Sequence, residues 1–268
     1  MNSFQTTIKK EVTLTGVGLH TGKNVTLKFA PSEADSGYKF IRNDLEGSPV
    51  VEADVQWVTD TQRGTNLDKN GVKINTSEHV LSALVGLQID NCTIYLDAPE
   101  PPIMDGSSIH FVNALKDAGI STLEKERDEY IVKEVINYKD EETGSEMTII
   151  PSDTYQITTM VDFGTKVLGT QNANLDQLKD YEKEIASSRT FSFLHELEML
   201  LENGLIQGGD LNNAIVYVDK PLSEETMERL KKAFNKKEIT VRPNGVLDNL
   251  ARKSQFKWSI STLVCNTK

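Results

Sequence analysis

The pattern Ile-x-Lys-Glu-Val occurs twice, at Ile8–Val12 and at Ile131–Val135. Each copy is followed by a Thr-Gly pair in one order or the other and then by a strand-like run closing on Pro-Ser, at Pro31-Ser32 and Pro151-Ser152. A chain that restarts midway is constrained to build two units on one plan, and self-similarity of this kind outweighs the propensity of any single segment. In the first copy, short β-branched runs at Lys9–Leu19, Asn24–Ser32 and Tyr38–Asp44 are separated by Gly, Pro, Ser and Asp turns and read as strands. They precede two helices, SEHVLSALVGL with Ser77 as N-cap and SSIHFVNALKDAG with Ser107 or Ser108 as cap and Gly119 as stop, with the strand NCTIYLD between them. In the second copy the strand TYQITTMVDF leads to expected helices at Asn174–Ile185, Phe193–Asn203 and Ser223–Phe234. The expectation is an α+β fold of two similar domains, residues 1–125 and 126–268, each a small sheet layered with helices that face a cleft between them. The charged stretch Glu124–Glu129 is the expected linker.

Composition narrows the function. The 268 residues suit two units of about 130 each. A net charge of −11 opposes a general nucleic-acid surface. Two cysteines, Cys92 and Cys265, are too few for a disulfide framework or a thiolate zinc cluster. No apolar run reaches the roughly 18 residues of a membrane span, and the N-terminus lacks a signal-peptide core, so the expectation is a cytoplasmic monomer without stable membrane insertion.

The most pointed local feature is the adjacency of Glu78 and His79 at the start of an otherwise apolar helix. Neighbouring helical residues point about 100° apart, so the two cannot both face the core, and one or both are expected to look into the cleft or solvent. A carboxylate beside an imidazole suits water activation, with His as a metal ligand and Glu as the base. On its own the pair also fits a structural account, because a first-turn Glu complements the helix dipole and can close a capping box.

The flanking segments carry more information. GVGLHTGK, TQRGTNL, TSEHVLSALVGLQIDN, APEPPIMDGSS, ASSRTF and GLIQGGDLNNAIV, in this order, make the chain resemble the UDP-3-O-acyl-N-acetylglucosamine deacetylases over about residues 3–250. These are zinc enzymes of lipid A synthesis. The resemblance implies His79 as a zinc ligand, Glu78 as the base that deprotonates the attacking water, and Thr190 as a donor to the developing oxyanion. It implies Phe191 as a wall of the substrate site and an acyl-chain insert at about residues 191–218, where Phe193, Leu194, Leu197, Met199, Leu200 and Leu205 supply an apolar surface. For those side chains, plain helix core is an equal alternative. His20 is expected to fix a loop, His110 to lie partly buried at the surface, and neither His195 nor Asp105 is expected to be a ligand. GVGLHTG is expected to be a turn rather than a phosphate loop.

After VRPNGVLDNL the chain departs from the pattern. The resemblance implies further zinc ligands from a His-Lys-x-x-Asp motif and a general-acid His late in the second half, whereas ARKSQFKWSISTLVCNTK holds no His, Asp or Glu. Three readings stay open: an incomplete or frameshifted form of the zinc deacetylase, an inactive remnant, and a binder of the nucleotide sugar or acyl chain without turnover. The expectation for this sequence is weak zinc binding and slow deacetylation.

Overall fold

A computed structural model of the chain describes residues 3–61, 64–202 and 207–248. The expected tail beyond Leu250, together with Leu205, falls outside them.

The first half contains β1 (Phe4–Ile8), β2 (Val12–Val17), β3 (Asn24–Pro31), β4 (Tyr38–Arg42), β5 (Val50–Glu52), β6 (Val58–Asp60), β7 (Asn66–Lys69) and β8 (Val72–Ile74). It continues with α1 (Glu78–Gly86), β9 (Cys92–Leu96), α2 (Ile109–Ala118) and β10 (Ile120–Glu126). Five strands form one sheet in the order β2-β3-β9-β4-β5, antiparallel except for the β4–β9 pair. Strand alternation sends Val25, Leu27 and Phe29 of β3 and Cys92, Ile94 and Leu96 of β9 to one buried face. α1 covers that face with Val80, Ala83 and Leu84, and α2 with Phe111, Val112 and Leu115. Phe29 meets Phe111 edge to face, centroids 6.3 Å apart. Cys92 is part of this core, and burial pushes its thiol up to about 12, so it is an apolar filler rather than a nucleophile.

The second half contains β11 (Ile136–Lys139), β12 (Glu146–Ile149), β13 (Ile157–Asp162), β14 (Thr170–Leu175), α3 (Tyr181–Glu184), β15 (Phe191–Phe193), α4 (Leu194–Glu202), β16 (Ile215–Tyr217), α5 (Glu224–Ala233), β17 (Thr240–Val241) and β18 (Leu247–Asp248). Its strands form two-stranded pairs, of which β15–β16 is parallel and the rest are antiparallel. Leu194, Leu197, Leu211, Val216, Leu230 and Phe234 make a small core around α4 and α5.

The α+β expectation holds, and both copies of the repeated pattern lead into antiparallel hairpins, β2–β3 and β11–β12. Three local expectations do not hold. The charged stretch at 124–129 is not wholly a linker, because β10 runs to Glu126 and pairs with β1. The N-terminal run FQTTI carried no legible alternation, and it is this pairing that makes it a strand. Residues Asn174–Ile185 do not form one helix: 170–175 pair with β13, and only Tyr181–Glu184 is α-helical. There the apolar residues serve the β13 register, Ile157 opposite Leu175, before a helical face can form. Ser77 is also not a side-chain cap: it is already helical in φ and ψ, and its hydroxyl donates to the Thr65 carbonyl at 2.8 Å; of the two serines offered for α2, Ser108 is likewise helical, while the Ser107 hydroxyl accepts the Ile109 N–H at 3.4 Å.

Candidate active site

The approach to α1 is held by its neighbours. Thr76 sits in the left-handed region at φ 52°, with its N–H donating to Asn66 Oδ1 at 3.1 Å. Ser77 is fully buried, and its N–H donates to the Thr65 carbonyl at 3.1 Å. Glu78 then folds back, and its Oε2 accepts the Thr65 N–H at 2.9 Å. This return contact brings the Glu78 Oε1 to 3.8 Å from His79 Nε2, with only 12% and 8% of the two side chains exposed. Both polar side chains are therefore mostly buried. Glu78 curls back over Thr65, the residue just before β7.

His79 carries the site's unusual atom. Its Nδ1 is buried and has no hydrogen-bond partner among the described residues. A buried unpaired polar nitrogen is costly unless something outside the protein's own network meets it. One turn later, Ser82 donates to the His79 carbonyl at 3.2 Å and shares hydrogen bonds of 2.8 Å with Ser108 and with Tyr181. Burial raises the Tyr181 phenol above its ordinary range, so its proton stays in this network.

Thr190, from the second half, is held against the loop before α2. Its N–H donates to the Gly106 carbonyl at 2.7 Å, and its own carbonyl accepts the Ile215 N–H at 2.9 Å. Gly106, at φ 86°, has no room for a side chain: a Cβ there would overlap the Asn213 carbonyl and approach Thr190 Cγ2 to 3.4 Å. Arg189 adds a second link, its Nε donating to the Asp105 carbonyl at 2.6 Å. Thr190 is thus fixed beside the loop that leads into α2.

The apolar candidates lie further along. Phe191 is buried in an aromatic cluster with Phe163, Phe193 and Tyr217, centroids 5.4, 5.6 and 5.7 Å away. Leu197 belongs to the core around α4, and Leu200 is equally buried, while Met199 is half exposed. Of the other histidines, His20 reaches Glu100 with its backbone N–H, the His110 ring approaches Asp105 at 3.5 Å with its side chain 44% exposed, and the His195 ring pairs with Asp219 while stacking on Phe193. GVGLHTG ends β2 and then turns, with the Gly22 N–H donating to the Gly18 carbonyl. Glu100, Ser82 and Tyr181 went unremarked in the sequence, and Ser108 was read only as a helix cap; the only signal was that Glu100 stands between prolines in APEPP.

For zinc, His79 supplies one nitrogen that fits. Among the described residues, however, no three or more His, Cys, Asp or Glu side chains gather as a metal set, so they do not complete a zinc site.

Comparison with known proteins places the chain. The family model for LpxC, UDP-3-O-acyl N-acetylglycosamine deacetylase, matches residues 5–238. A bifunctional enzyme LpxC/FabZ of Porphyromonas gingivalis is 42% identical over 91% of this chain and 53% of its own length. Its counterpart in Chlorobaculum tepidum is 40% identical with the same coverage. A UDP-3-O-acyl-N-acetylglucosamine deacetylase of Syntrophus aciditrophicus is 39% identical over 88% of this chain and 75% of its own length. The chain spans about half the length of the bifunctional relatives. With the family model covering most of its length, the chain belongs to the LpxC family.

Proposed function

We propose that the protein hydrolyses the N-acetyl group of UDP-3-O-acyl-N-acetylglucosamine, releasing acetate and the free sugar amine in lipid A synthesis. The observation that carries this reading is the Glu78–His79 pair: two mostly buried polar side chains 3.8 Å apart, one with an orphaned ring nitrogen, at the start of a helix whose approach is fixed by Thr65 and Ser77. In this reading Glu78 takes a proton from the attacking water as its oxygen bonds to the acetamide carbon. The carbonyl oxygen becomes the oxyanion, and Thr190 donates to it, a contact of a kind commonly worth about 3 kcal/mol. Collapse breaks the C–N bond as the proton held by Glu78 passes to the nitrogen, so the amine leaves neutral. Phe191, Leu197 and Leu200 are the apolar side chains assigned to the acyl-chain end. Zinc is the cofactor implied by the family resemblance, with His79 as one ligand; since the described residues do not complete its site, no step here runs through it. The names of the relatives support the substrate class, and the deacetylases among them act on a UDP-sugar.

The test is acetate release from the acylated UDP-sugar by the full-length protein and by Glu78→Gln. The carboxamide keeps the shape but cannot take the proton, and turnover is expected to fall by about 10²- to 10⁴-fold. Turnover that Glu78→Gln leaves intact would overturn the assignment of the base, and a parent protein that releases no acetate would overturn the activity.

A further inference from the structure

Glu100 is a fully buried carboxylate that the deacetylase reading does not use. It lies between Pro99 and Pro101 on the loop from β9 to α2. Among the described residues no Lys, Arg or His side chain forms an ion pair with it. A buried carboxylate persists only where hydrogen bonds replace water, and here two separate segments supply them. From the turn after β2, the His20 N–H donates to Oε1 and Oε2 at 3.2 and 3.1 Å, and the Thr21 N–H and hydroxyl donate to Oε2 at 3.3 and 3.4 Å. From the approach to α1, the Thr76 hydroxyl donates to Oε1 at 3.1 Å.

Each segment has its own reason to need a clamp. Thr76 is β-branched yet sits at φ 52°, a region such residues avoid, and it stands two residues before Glu78. The turn at 18–23 is one place where the second half leans on the first: the Gln207 N–H donates to the His20 carbonyl at 3.3 Å and the Gly208 N–H to the Leu19 carbonyl at 3.0 Å. Contact there is backbone to backbone, since a Cβ on Gly208 would overlap the Gly18 carbonyl. Gly18 in turn closes on the carboxylate so tightly that a Cβ would come within 2.6 Å of Glu100 Oε2.

We propose that Glu100 is a positioning residue whose buried carboxylate clamps the 18–23 turn to Thr76, setting in one contact the aim of the Glu78–His79 pair and the seat of residues 207–208. The effect on turnover rests on the deacetylase reading; the clamp itself does not. Its chemistry also says which substitution it tolerates. In Glu100→Gln the amide oxygen can accept from His20 and Thr21 while the NH₂ donates to Thr76, whose hydroxyl accepts as well as donates. In Glu100→Ala every one of those donors loses its acceptor.

The experiment compares the full-length parent with Glu100→Ala and Glu100→Gln by amide hydrogen exchange and by acetate release. In Glu100→Ala, exchange should quicken by about tenfold or more both at 18–23 and at 75–79 while β9 keeps its protection, and Glu100→Gln should restore both segments. Turnover kcat should fall by about 10²-fold in Glu100→Ala with KM changed by less than about threefold, and Glu100→Gln should recover most of it. Unchanged exchange at either segment, or equal behaviour of the two variants, overturns the proposal. Should Glu100→Ala fail to fold, Thr76→Val, which removes a single hydroxyl, decides instead: faster exchange at 75–79 with Thr76→Ser unaffected supports the clamp, and no change overturns it. A parent that releases no acetate counts against the deacetylase reading alone, because the exchange comparison still tests the clamp.

Discussion

Ile8 and Ile131 open the two copies of one sequence pattern, yet Ile8 is 1% exposed and Ile131 70%. The hairpins that follow diverge in the same way. β3 buries Val25, Leu27 and Phe29 beneath α1 and α2, whereas every residue of β11 and β12 is exposed. Cross-strand pairing in the second hairpin nevertheless puts Ile136 opposite Ile149 and Tyr138 opposite Met147, an apolar set on one face just as in the first. The difference teaches that a local pattern specifies a hairpin and its two faces, while burial depends on what else is brought to the apolar face. A second contrast concerns allegiance. Leu175, Tyr181, Ile185 and Ala186 come after the repeat but pack into the core of the first half. The packing boundary does not coincide with the sequence restart.

The largest test of this contrast is a matched pair of truncations. Phe29→Ala should lower unfolding stability by about 3–5 kcal/mol in urea titration, because it opens a cavity against Phe111. Its counterpart on the second hairpin, Met147→Ala, should change stability by less than about 0.5 kcal/mol, as for any exposed site. Comparable losses would show that the β11–β12 face is covered in solution and would erase the distinction.

Next in size is the contact that binds Tyr181 to the first half. A Cβ on Gly86 would overlap the Tyr181 ring, so Gly86→Ala should cost about 1–3 kcal/mol by displacing it. Tyr181→Ala also removes the hydroxyl from Ser82. The two changes act on one contact, and the double variant should be more stable than the sum predicts, by about 0.5–3 kcal/mol. Strict additivity would mean that residues 175–186 are not docked on α1.

The smallest effect separates the halves little, and for that reason checks that their surface electrostatics are alike. In the first half, Arg42 grips Asp44 at 2.8 and 2.7 Å and holds its carboxyl below the usual range. In the second, the hydrogen bond from Lys220 does the same for Glu198. A carboxyl with a lowered folded pKa contributes stability that is present above its unfolded pKa of about 4 and is lost as pH falls through the folded value. The urea midpoint should therefore drop on acidification below about pH 4, and Asp44→Asn and Glu198→Gln should each flatten that drop slightly. A midpoint that rises on acidification would reverse the sign and reject both assignments.

Much of the first half could be read directly. Alternation in NVTLKFAP and CTIYL fixed β3 and β9, the apolar face of EHVLSALVG fixed α1, and Gly119, at φ 73°, ends α2 where a glycine stop was expected. Glu78 and His79 stood out because a polar pair interrupts an apolar helix. β1 could not be read, since among the described residues the strand it pairs with is β10, more than a hundred residues away. Nor could Glu100, whose four donors come from segments that meet only in the folded chain.

The sequence by itself determined the things set by neighbours in the chain: the periods of strands and helices, the turns that require glycine, and the adjacency of a carboxylate with an imidazole. Tertiary structure decided which apolar faces found a cover, that Glu78 turns back onto Thr65, and that Thr190 lies against Gly106. These depend on contacts between segments distant in sequence, where the gain of burial and of hydrogen bonding must exceed the entropy of bringing them together. No local pattern reports that balance.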